Sequence, residues 1–128
     1  MFHIGIDIGS VTVKTVIFDT NNNIVYKEYK RHFSDVKKAL SEVLVNIYNK
    51  LKNSKVTIVI TGSGGIDISQ KLNIKFIQEV IASTHAIEYF YPETDVVIEL
   101  VEKMLKLQYF NRWNKIKEWN GICAGGTG

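Results

Sequence analysis

The feature that most constrains the fold is a pair of apolar runs that meet at a small turn near the start of the chain. Residues 2–8 and 11–19 are rich in β-branched and apolar side chains, and Gly9 and Ser10 separate them. Glycine permits a tight turn, so the two runs predict an antiparallel hairpin. Asparagines at 21–23 predict a second turn, because asparagine tolerates left-handed backbone angles, and residues 24–30 alternate apolar with polar. The sequence therefore predicts a three-stranded meander.

Helical and strand-like segments then alternate. Residues 36–51 carry apolar side chains at helical spacing, and Ser34 or Asp35 is placed to cap the first turn. Residues 55–61 predict a strand buried on both faces, parallel to the first strand because a helix precedes it. Helices are predicted at 66–72 and 77–90, with Pro92 closing the second, and a short buried strand at 95–100. No repeat is apparent. This order predicts an α/β fold, a mixed sheet covered by helices.

Composition limits the function classes. The 128 residues include 16 basic and 13 acidic side chains, a formal charge of +3, and the lysines form no dense basic block. We therefore expect no nucleic-acid and no membrane partner. The first apolar run contains Asp7 and lacks the basic leader of a signal peptide. The one cysteine, Cys123, cannot form an internal disulfide, which fits a cytoplasmic protein.

The first candidate site is the predicted hairpin itself. The Gly9 turn lets the backbone amides of Ser10, Val11 and Thr12 approach a phosphate. Asp7 could hold Mg²⁺ through water, and Lys14 could neutralise phosphate charge. The alternative is an acid-containing hairpin without a ligand.

Two glycine-rich stretches are further candidates. Residues 61–65, Thr-Gly-Ser-Gly-Gly, follow a parallel strand at the end where ligands commonly bind, although a purely structural turn is the simpler interpretation. Cys123 precedes Gly125, Gly126 and Thr127, a turn that could serve a nucleotide or a metal; the alternative is a lone buried cysteine. The three histidines, His3, His32 and His85, show no metal-ligand spacing and are assigned no chemistry.

Five stretches, taken together and in order, resemble one protein family. They are Gly5-Ile6-Asp7-Ile8-Gly9-Ser10 with Lys14, then Ile60-Thr61-Gly62-Ser63-Gly64, then residues 76–82, 94–100 and 120–128. They are similar to the CoA-substrate-specific enzyme activases, in particular the activators of 2-hydroxyacyl-CoA dehydratases, with benzoyl-CoA reductase ATPase subunits as relatives. The resemblance covers nearly the whole chain except residues 101–119.

The resemblance implies a fold, a reaction and a set of site residues. The fold is the ribonuclease-H-like superfold of actin, sugar kinases and heat-shock chaperones, which binds nucleotide between two lobes. The activity is that of an ATP-dependent homodimer that shares one [4Fe-4S] cluster and passes a low-potential electron to a partner dehydratase or reductase. The matched positions are the first phosphate hairpin (Asp7, Gly9, Ser10, Thr12, Lys14), the acid of the second (Glu99) and a cluster ligand (Cys123). A four-thiolate cluster needs more cysteines than two such chains supply.

Residues 101–106 depart from the family. Where the family continues Gly-Gly-Glu-Asp-Ala-Lys, this chain has Val-Glu-Lys-Met-Leu-Lys, which suits a helix although it directly follows a strand. Codons for the family motif, GGT GGA GAA GAT GCT AAA, spell Val-Glu-Lys-Met-Leu when the first base is deleted. One inserted base near Trp119 would restore the frame. A locally shifted reading frame over residues 101–119 is therefore a hypothesis that the codons would test.

We expect residues 1–92 to form the first lobe and residues 93–128 only the opening of a truncated second lobe. Such a chain is expected to bind ATP weakly or not at all and not to hydrolyse it. Two alternatives stay open: a small-molecule kinase of the same superfold, against which Cys123 in its glycine-rich context argues, and a noncatalytic fragment or degraded gene product.

Overall fold

The computed structural model describes residues 1–101, 104–110 and 117–123, and the side chains of 101, 104–106 and 117–123 are not described. The chain forms two compact units, Met1–Ser83 and Thr84–Gly128, and the helix Glu79–Phe90 runs across the division. The predicted lobe boundary after residue 92 stays a prediction. Among the described residues, no helix has the length and apolar character needed to cross a membrane.

The first unit contains a five-stranded mixed sheet with the order β3-β2-β1-β4-β5. Its strands are β1 (Phe2–Ile8), β2 (Thr12–Phe18), β3 (Ile24–Arg31), β4 (Val56–Thr61) and β5 (Lys75–Phe76). The first three strands pair antiparallel, whereas β4 runs parallel to β1, as the intervening helix predicts. The meander and the parallel crossover predicted from the sequence are confirmed.

Helix α1 (Val36–Leu51) carries the apolar stripe that makes the core of this unit. The Asp35 side chain accepts a hydrogen bond from the Lys38 backbone amide at 3.0 Å. Of the two predicted N-caps, Ser34 and Asp35, the aspartate therefore caps the helix. Five buried helix residues, Ala39, Leu40, Val43, Ile47 and Leu51, pack against the isoleucines and valine of β1, β2 and β4 that face them. Since β1 and β2 largely alternate between buried and more accessible side chains, the opposite face of the sheet carries a second set of side chains, both polar and apolar.

Helix α2 (Ile66–Leu72) follows β4, and α3 (Glu79–Phe90) follows β5. The prediction that β4 is buried on both faces is wrong, because only Ile60 among its residues is buried and Val56 is 41% exposed. The reason is that helix packing covers one face of β4 while its other face lines an open cleft.

The second unit holds a three-stranded antiparallel sheet in the order β6-β7-β8: β6 (Val96–Val101), β7 (Met104–Phe110) and β8 (Lys117–Cys123). Gln108 of β7 donates to Thr84 Oγ1 of α3 at 2.7 Å, a buried bond that ties strand to helix. The helix expected over residues 101–106 is absent from the described part of that segment, because Met104, Leu105 and Lys106 pair with β6.

β6 also differs from its prediction as a buried strand. Val96, Ile98 and Leu100 are 48%, 61% and 78% exposed. In the described sheet β6 pairs on one side only, with β7, and its alternate side chains face outward.

Candidate functional site

The hairpin between β1 and β2 is closed by two residues, Ser10 and Val11. The Gly9 amide donates to the Thr12 carbonyl at 2.9 Å, which brings the strand ends together. None of Gly9, Ser10 and Val11 has a positive φ, so the turn itself does not require glycine. A methyl group on Gly9 would lie 3.6 Å from the nearest heavy atom, the Thr12 carbonyl oxygen. The absent side chain leaves the backbone of this turn bare.

Asp7 and Lys14 face each other across the two strands at the mouth of this hairpin. They are Cα partners in the antiparallel register, and Lys14 Nζ lies 3.4 Å from Asp7 Oδ2. The side chains are 28% and 54% exposed, respectively, so the ion pair adds little to stability. Ammonium groups have three donors, and Lys14 therefore keeps donors for an anion while it contacts Asp7.

The second glycine stretch packs directly against this hairpin. Gly62 has φ +91, and a Cβ built there would lie 2.4 Å from both Asp7 Oδ1 and the Ile8 carbonyl oxygen. The Gly64 amide donates to the Ile8 carbonyl at 2.8 Å. The two stretches predicted as separate candidate sites thus meet, and glycine at position 62 is required both by the backbone angle and by the close contact.

An open cleft of about 550 Å³ begins at Asp7 and Lys14, beside the turn residues 9–12 that do not line it, and continues along the sheet face away from α1. Asp7, Lys14 and Thr61 line its polar end, and Val16 and Val59 line its apolar floor. This volume lies within the range typical of small-molecule sites. Thr61 Oγ1 is buried and makes no hydrogen bond among the described residues. A buried hydroxyl without a partner is costly and is often satisfied by water or a ligand.

A second groove, of about 450 Å³, lies between α1 and α2. Leu40, Leu44, Ile68 and Leu72 form much of its lining, and none of its residues is acidic. It lacks the mixture of acid, base and bare backbone found at the hairpin, so the hairpin cleft is the candidate site.

The donor set at the hairpin fits a magnesium–phosphate group better than a metal held by protein alone. Within the described ranges, no cluster of three or more His, Cys, Asp or Glu side chains could hold a metal ion. Mg²⁺ in phosphate sites usually keeps several waters and takes one or two carboxylates, a role that Asp7 alone can fill. The predicted Asp7, Gly9, Ser10, Val11, Thr12 and Lys14 all lie together here.

The other predicted site residues lie elsewhere in the chain. Glu99 is on β6 of the second unit, with Lys106 as its Cα partner on β7. Cys123 is the last residue of β8, and its side chain is outside the described residues. Gly125, Gly126 and Thr127 also lie outside them. The single cysteine of the chain does not by itself make the four-thiolate set of a [4Fe-4S] cluster.

The sequence interpretation missed His32, which is only 6% exposed and whose ring nitrogen Nε2 lies 3.1 Å from the Gly9 carbonyl. A signal was available, because continuing the meander register beyond the pair Thr12 and Arg31 places His32 opposite Val11.

Known proteins similar to this chain support the same fold. No protein-family model matches it. An uncharacterized protein of Methanocaldococcus jannaschii is 29% identical over 130 residues, which cover 98% of this chain and 51% of that protein.

Two solved structures are similar over nearly the whole chain. The activator of the 2-hydroxyisocaproyl-CoA dehydratase from Clostridium difficile, with bound ADPNP, has a TM-score of 0.75 and 24% identity over 96% of this chain and 46% of its own. Component A of the (R)-2-hydroxyglutaryl-CoA dehydratase of Acidaminococcus fermentans has a TM-score of 0.73 and 22% identity, over 97% and 49%.

The fold is therefore that of the actin-like ATPases, the ribonuclease-H-like superfold expected from the sequence. The similarity to an activator of one CoA dehydratase and to component A of another agrees with the family resemblance seen in the sequence, and at 24% and 22% identity it shows a shared fold. The chain spans about half the length of each of these three relatives.

Proposed function

We propose that this chain is a phosphate-binding lobe of an activator of 2-hydroxyacyl-CoA dehydratase-type enzymes. The observation that carries the proposal is the meeting of the Asp7–Lys14 pair with the Gly62 loop at the bare turn of the first hairpin. It is supported by the similarity in fold to an activator that holds ADPNP.

In this proposal each residue of the hairpin has a distinct task. The amides of Ser10, Val11 and Thr12 donate to phosphate oxygens, and Lys14 places a positive charge beside them. Asp7 accepts from the waters of a phosphate-bound Mg²⁺, and Gly62 leaves room for that carboxylate. Bound Mg-ATP would supply the free energy of hydrolysis that the activators couple to electron transfer.

The remaining parts of the activity are proposed from the family. They are a homodimer in the cytoplasm, a shared [4Fe-4S] cluster with Cys123 as one ligand, a low-potential electron passed to a dehydratase or reductase, and nucleotide contacts at Glu99, Gly125, Gly126 and Thr127. Anaerobic reconstitution with iron and sulfide tests the cluster; a Cys123→Ala variant that holds the same iron would contradict the assignment of this ligand.

We further propose that the 128-residue chain alone binds Mg-ATP weakly and does not hydrolyse it. Residues 101–106 lack the glycine-rich acid turn that the family has in its second hairpin, so only one of two phosphate loops is present. The dissociation constant expected of one loop is in the millimolar range, about −4 kcal/mol of binding free energy.

Amide NMR of the ¹⁵N-labelled chain tests this function. Adding Mg-ATP should shift the Ser10, Val11 and Thr12 amides, and Lys14→Met should weaken the binding. Lys37→Met is the matched control, because it removes the same charge from a residue that lines the other groove. Equal weakening by both variants would point to nonspecific charge attraction, and tight binding by calorimetry would contradict the single-loop proposal.

A noncatalytic role is the second candidate. The departure at residues 101–106 favours it, since a chain with one phosphate loop retains the fold without the catalytic set. The coding DNA of residues 101–119 separates the two: codons that restore Gly-Gly-Glu-Asp-Ala-Lys after a one-base shift favour the activator, and codons that cannot be so shifted favour the noncatalytic role.

A further inference from the structure

His32 makes four hydrogen bonds, two with the first hairpin and two with the turn that follows His32. Its backbone amide donates to the Val11 carbonyl at 3.0 Å. Its ring nitrogen Nε2 lies 3.1 Å from the Gly9 carbonyl oxygen, and its Nδ1 accepts from the Ser34 amide at 3.1 Å. The ring is buried against the hairpin, although the histidine lies 23 residues from Gly9 in the sequence.

These partners determine the position of the ring proton. The Ser34 amide is a donor, so Nδ1 must offer its lone pair. In a neutral imidazole the proton then sits on Nε2, which donates it to the Gly9 carbonyl. The imidazole ring thus donates to the Gly9 carbonyl of the hairpin and accepts from the Ser34 amide of the following turn.

Holding the Gly9 and Val11 carbonyls orients the amides that share their peptide units, those of Ser10 and Thr12. A trans peptide unit is planar and its C=O and N–H point in opposite directions, and the described chain has no cis peptide bond. When His32 holds the Gly9 carbonyl on one side, the Ser10 amide points to the other. Among the described residues, no acceptor is paired with the Ser10 or Val11 amide. These are the amides proposed above to bind phosphate.

The backbone after His32 is held in an unusual conformation. Phe33 and Ser34 have φ values of 46 and 65, and a bulky residue such as phenylalanine rarely adopts a positive φ. Both residues lie inside a turn that is closed by the Asp35 amide, which donates to the His32 carbonyl at 2.7 Å, and the Phe33 side chain is 83% exposed. The conformation does place the Ser34 amide on Nδ1. Strained backbone at such a point is an observation that motivates a functional hypothesis.

We propose that His32 is a positioning residue for phosphate binding: as its Nε2–H tautomer it holds the Gly9 carbonyl and thereby directs the Ser10 amide, which shares that peptide unit, at the ligand. This inference rests on the proposed function, because the ligand is the phosphate group assigned there. His32 acts through the turn and does not itself touch the ligand.

Two conservative variants separate the two ring contacts. In His32→Gln the side-chain amide nitrogen can reach the position of Nε2 and keep the bond to Gly9, while the acceptor for Ser34 is lost. In His32→Asn the side-chain oxygen can replace Nδ1 and keep the Ser34 bond, while the bond to Gly9 is lost. Each variant removes one hydrogen bond, so similar losses of thermal stability are expected from both.

The test is NMR titration of the wild-type chain and both variants with Mg-ATP and with inorganic tripolyphosphate, followed at the Ser10 and Val11 amides. We expect His32→Gln to bind within about threefold of wild type and His32→Asn to bind about tenfold more weakly, the effect of one lost hydrogen bond. A long-range ¹H–¹⁵N correlation spectrum should also show the wild-type ring as the Nε2–H tautomer.

The outcomes are distinguishable. If the wild-type amides do not respond to either ligand, the proposed function fails and this inference with it. If the wild type responds and His32→Asn binds equally well, or His32→Gln is the weaker of the two, the inference alone is overturned. A proton found on Nδ1 in the wild type would also overturn it.

Discussion

The two units of the chain contain hairpins that share a backbone register and differ at the turn. In the first, Asp7 is paired with Lys14; in the second, Glu99 is paired with Lys106, and in each the acid lies seven residues before the lysine. Gly9 faces Thr12 across the first turn, and Val101 faces Met104 across the second. A repeat that is not apparent in the sequence therefore exists in the register.

The difference lies in which side chains surround the two turns. Glycine, serine and valine stand at the first (residues 9–11), and larger or charged residues at the second. Under the proposed function, an acid and a lysine at matching places are not enough for phosphate binding. The turn between them must also leave backbone amides accessible, a condition that the small residues Gly9 and Ser10 favour.

The packing of the two hairpins gives the largest expected effect. Ile6 and Ile98 each precede the acid of their hairpin, yet Ile6 is 1% exposed and Ile98 is 61% exposed. Ile6→Ala should lower the free energy of unfolding by about 2–5 kcal/mol because it leaves a core cavity. Ile98→Ala should change it by less than about 0.5 kcal/mol. Urea unfolding measures both, and equal losses would show that β6 is as buried as β1.

The glycines around the first turn should separate folding from binding. Gly62→Ala places a Cβ 2.4 Å from Asp7 Oδ1 and forces alanine to φ +91, so a loss of about 2–4 kcal/mol in unfolding free energy is expected. Gly9→Ala has room and should stay within about 0.5 kcal/mol of wild type.

The Gly9→Ala variant should nevertheless bind Mg-ATP about tenfold more weakly, because its methyl group covers the amides. Thermal melting and NMR titration give the two quantities. Unchanged binding in this variant would show that a side chain at the first turn does not hinder phosphate binding, and would contradict the proposed difference between the two turns.

Rebuilding the second turn should sharpen the comparison further. Five substitutions, Val101→Gly, Glu102→Gly, Lys103→Glu, Met104→Asp and Leu105→Ala, install the family motif ahead of Lys106. We expect Mg-ATP affinity by calorimetry to rise at least about tenfold, or 1.4 kcal/mol. Adding Gly9→Ala to the rebuilt chain is the control and should cancel the gain. A rebuilt chain with unchanged affinity would show that the second turn does not limit binding.

The turn between β2 and β3 gives the smallest expected effect on stability. The side-chain amide of Asn23 donates to Asp19 and, with the Asn23 and Asn21 backbone amides, lowers the pKa of Asp19 below its ordinary value of 3.8. A carboxyl group whose pKa is lower in the folded than in the unfolded state stabilises the fold at pH values above its unfolded pKa. That stabilisation is lost as the pH falls through the folded pKa.

The melting temperature of wild type should therefore exceed that of Asp19→Ala slightly at neutral pH, and the gap should close in acid. Asp35→Ala, which removes the acid that caps α1, is a comparison from the same unit. A gap that widens on acidification would mean that the Asp19 carboxylate does not stabilise the turn.

Much of the first unit could be predicted from the sequence, for physical reasons. The period of apolar residues gave the strands of the meander and α1, and the helix between β1 and β4 implied their parallel pairing. The motif residues at 5–10 placed the hairpin site. These signals are local, and each depends on residues that are close together in the sequence.

What could not be predicted depends on contacts between distant residues. The Gly62 contact with Asp7 and the His32 contact with Gly9 arise only when strands are paired. At 101–106 the helical propensity of the residues was a poor guide, because pairing with β6 decided the structure of Met104 to Lys106. The hypothesis of a shifted reading frame at these positions stays a prediction.

The parallel pairing of β1 with β4 also bears on the order in which the molecule folds. β1, β2 and β3 are neighbours in the sequence and can associate quickly, whereas Asp7 pairs with Thr61 only after a loop of more than 50 residues has closed. The contact between Gly62 and Asp7 is therefore expected to form late in folding. A partly folded chain could hold its hairpin and still lack the complete phosphate site proposed above, so phosphate binding would report that β4 has paired with β1.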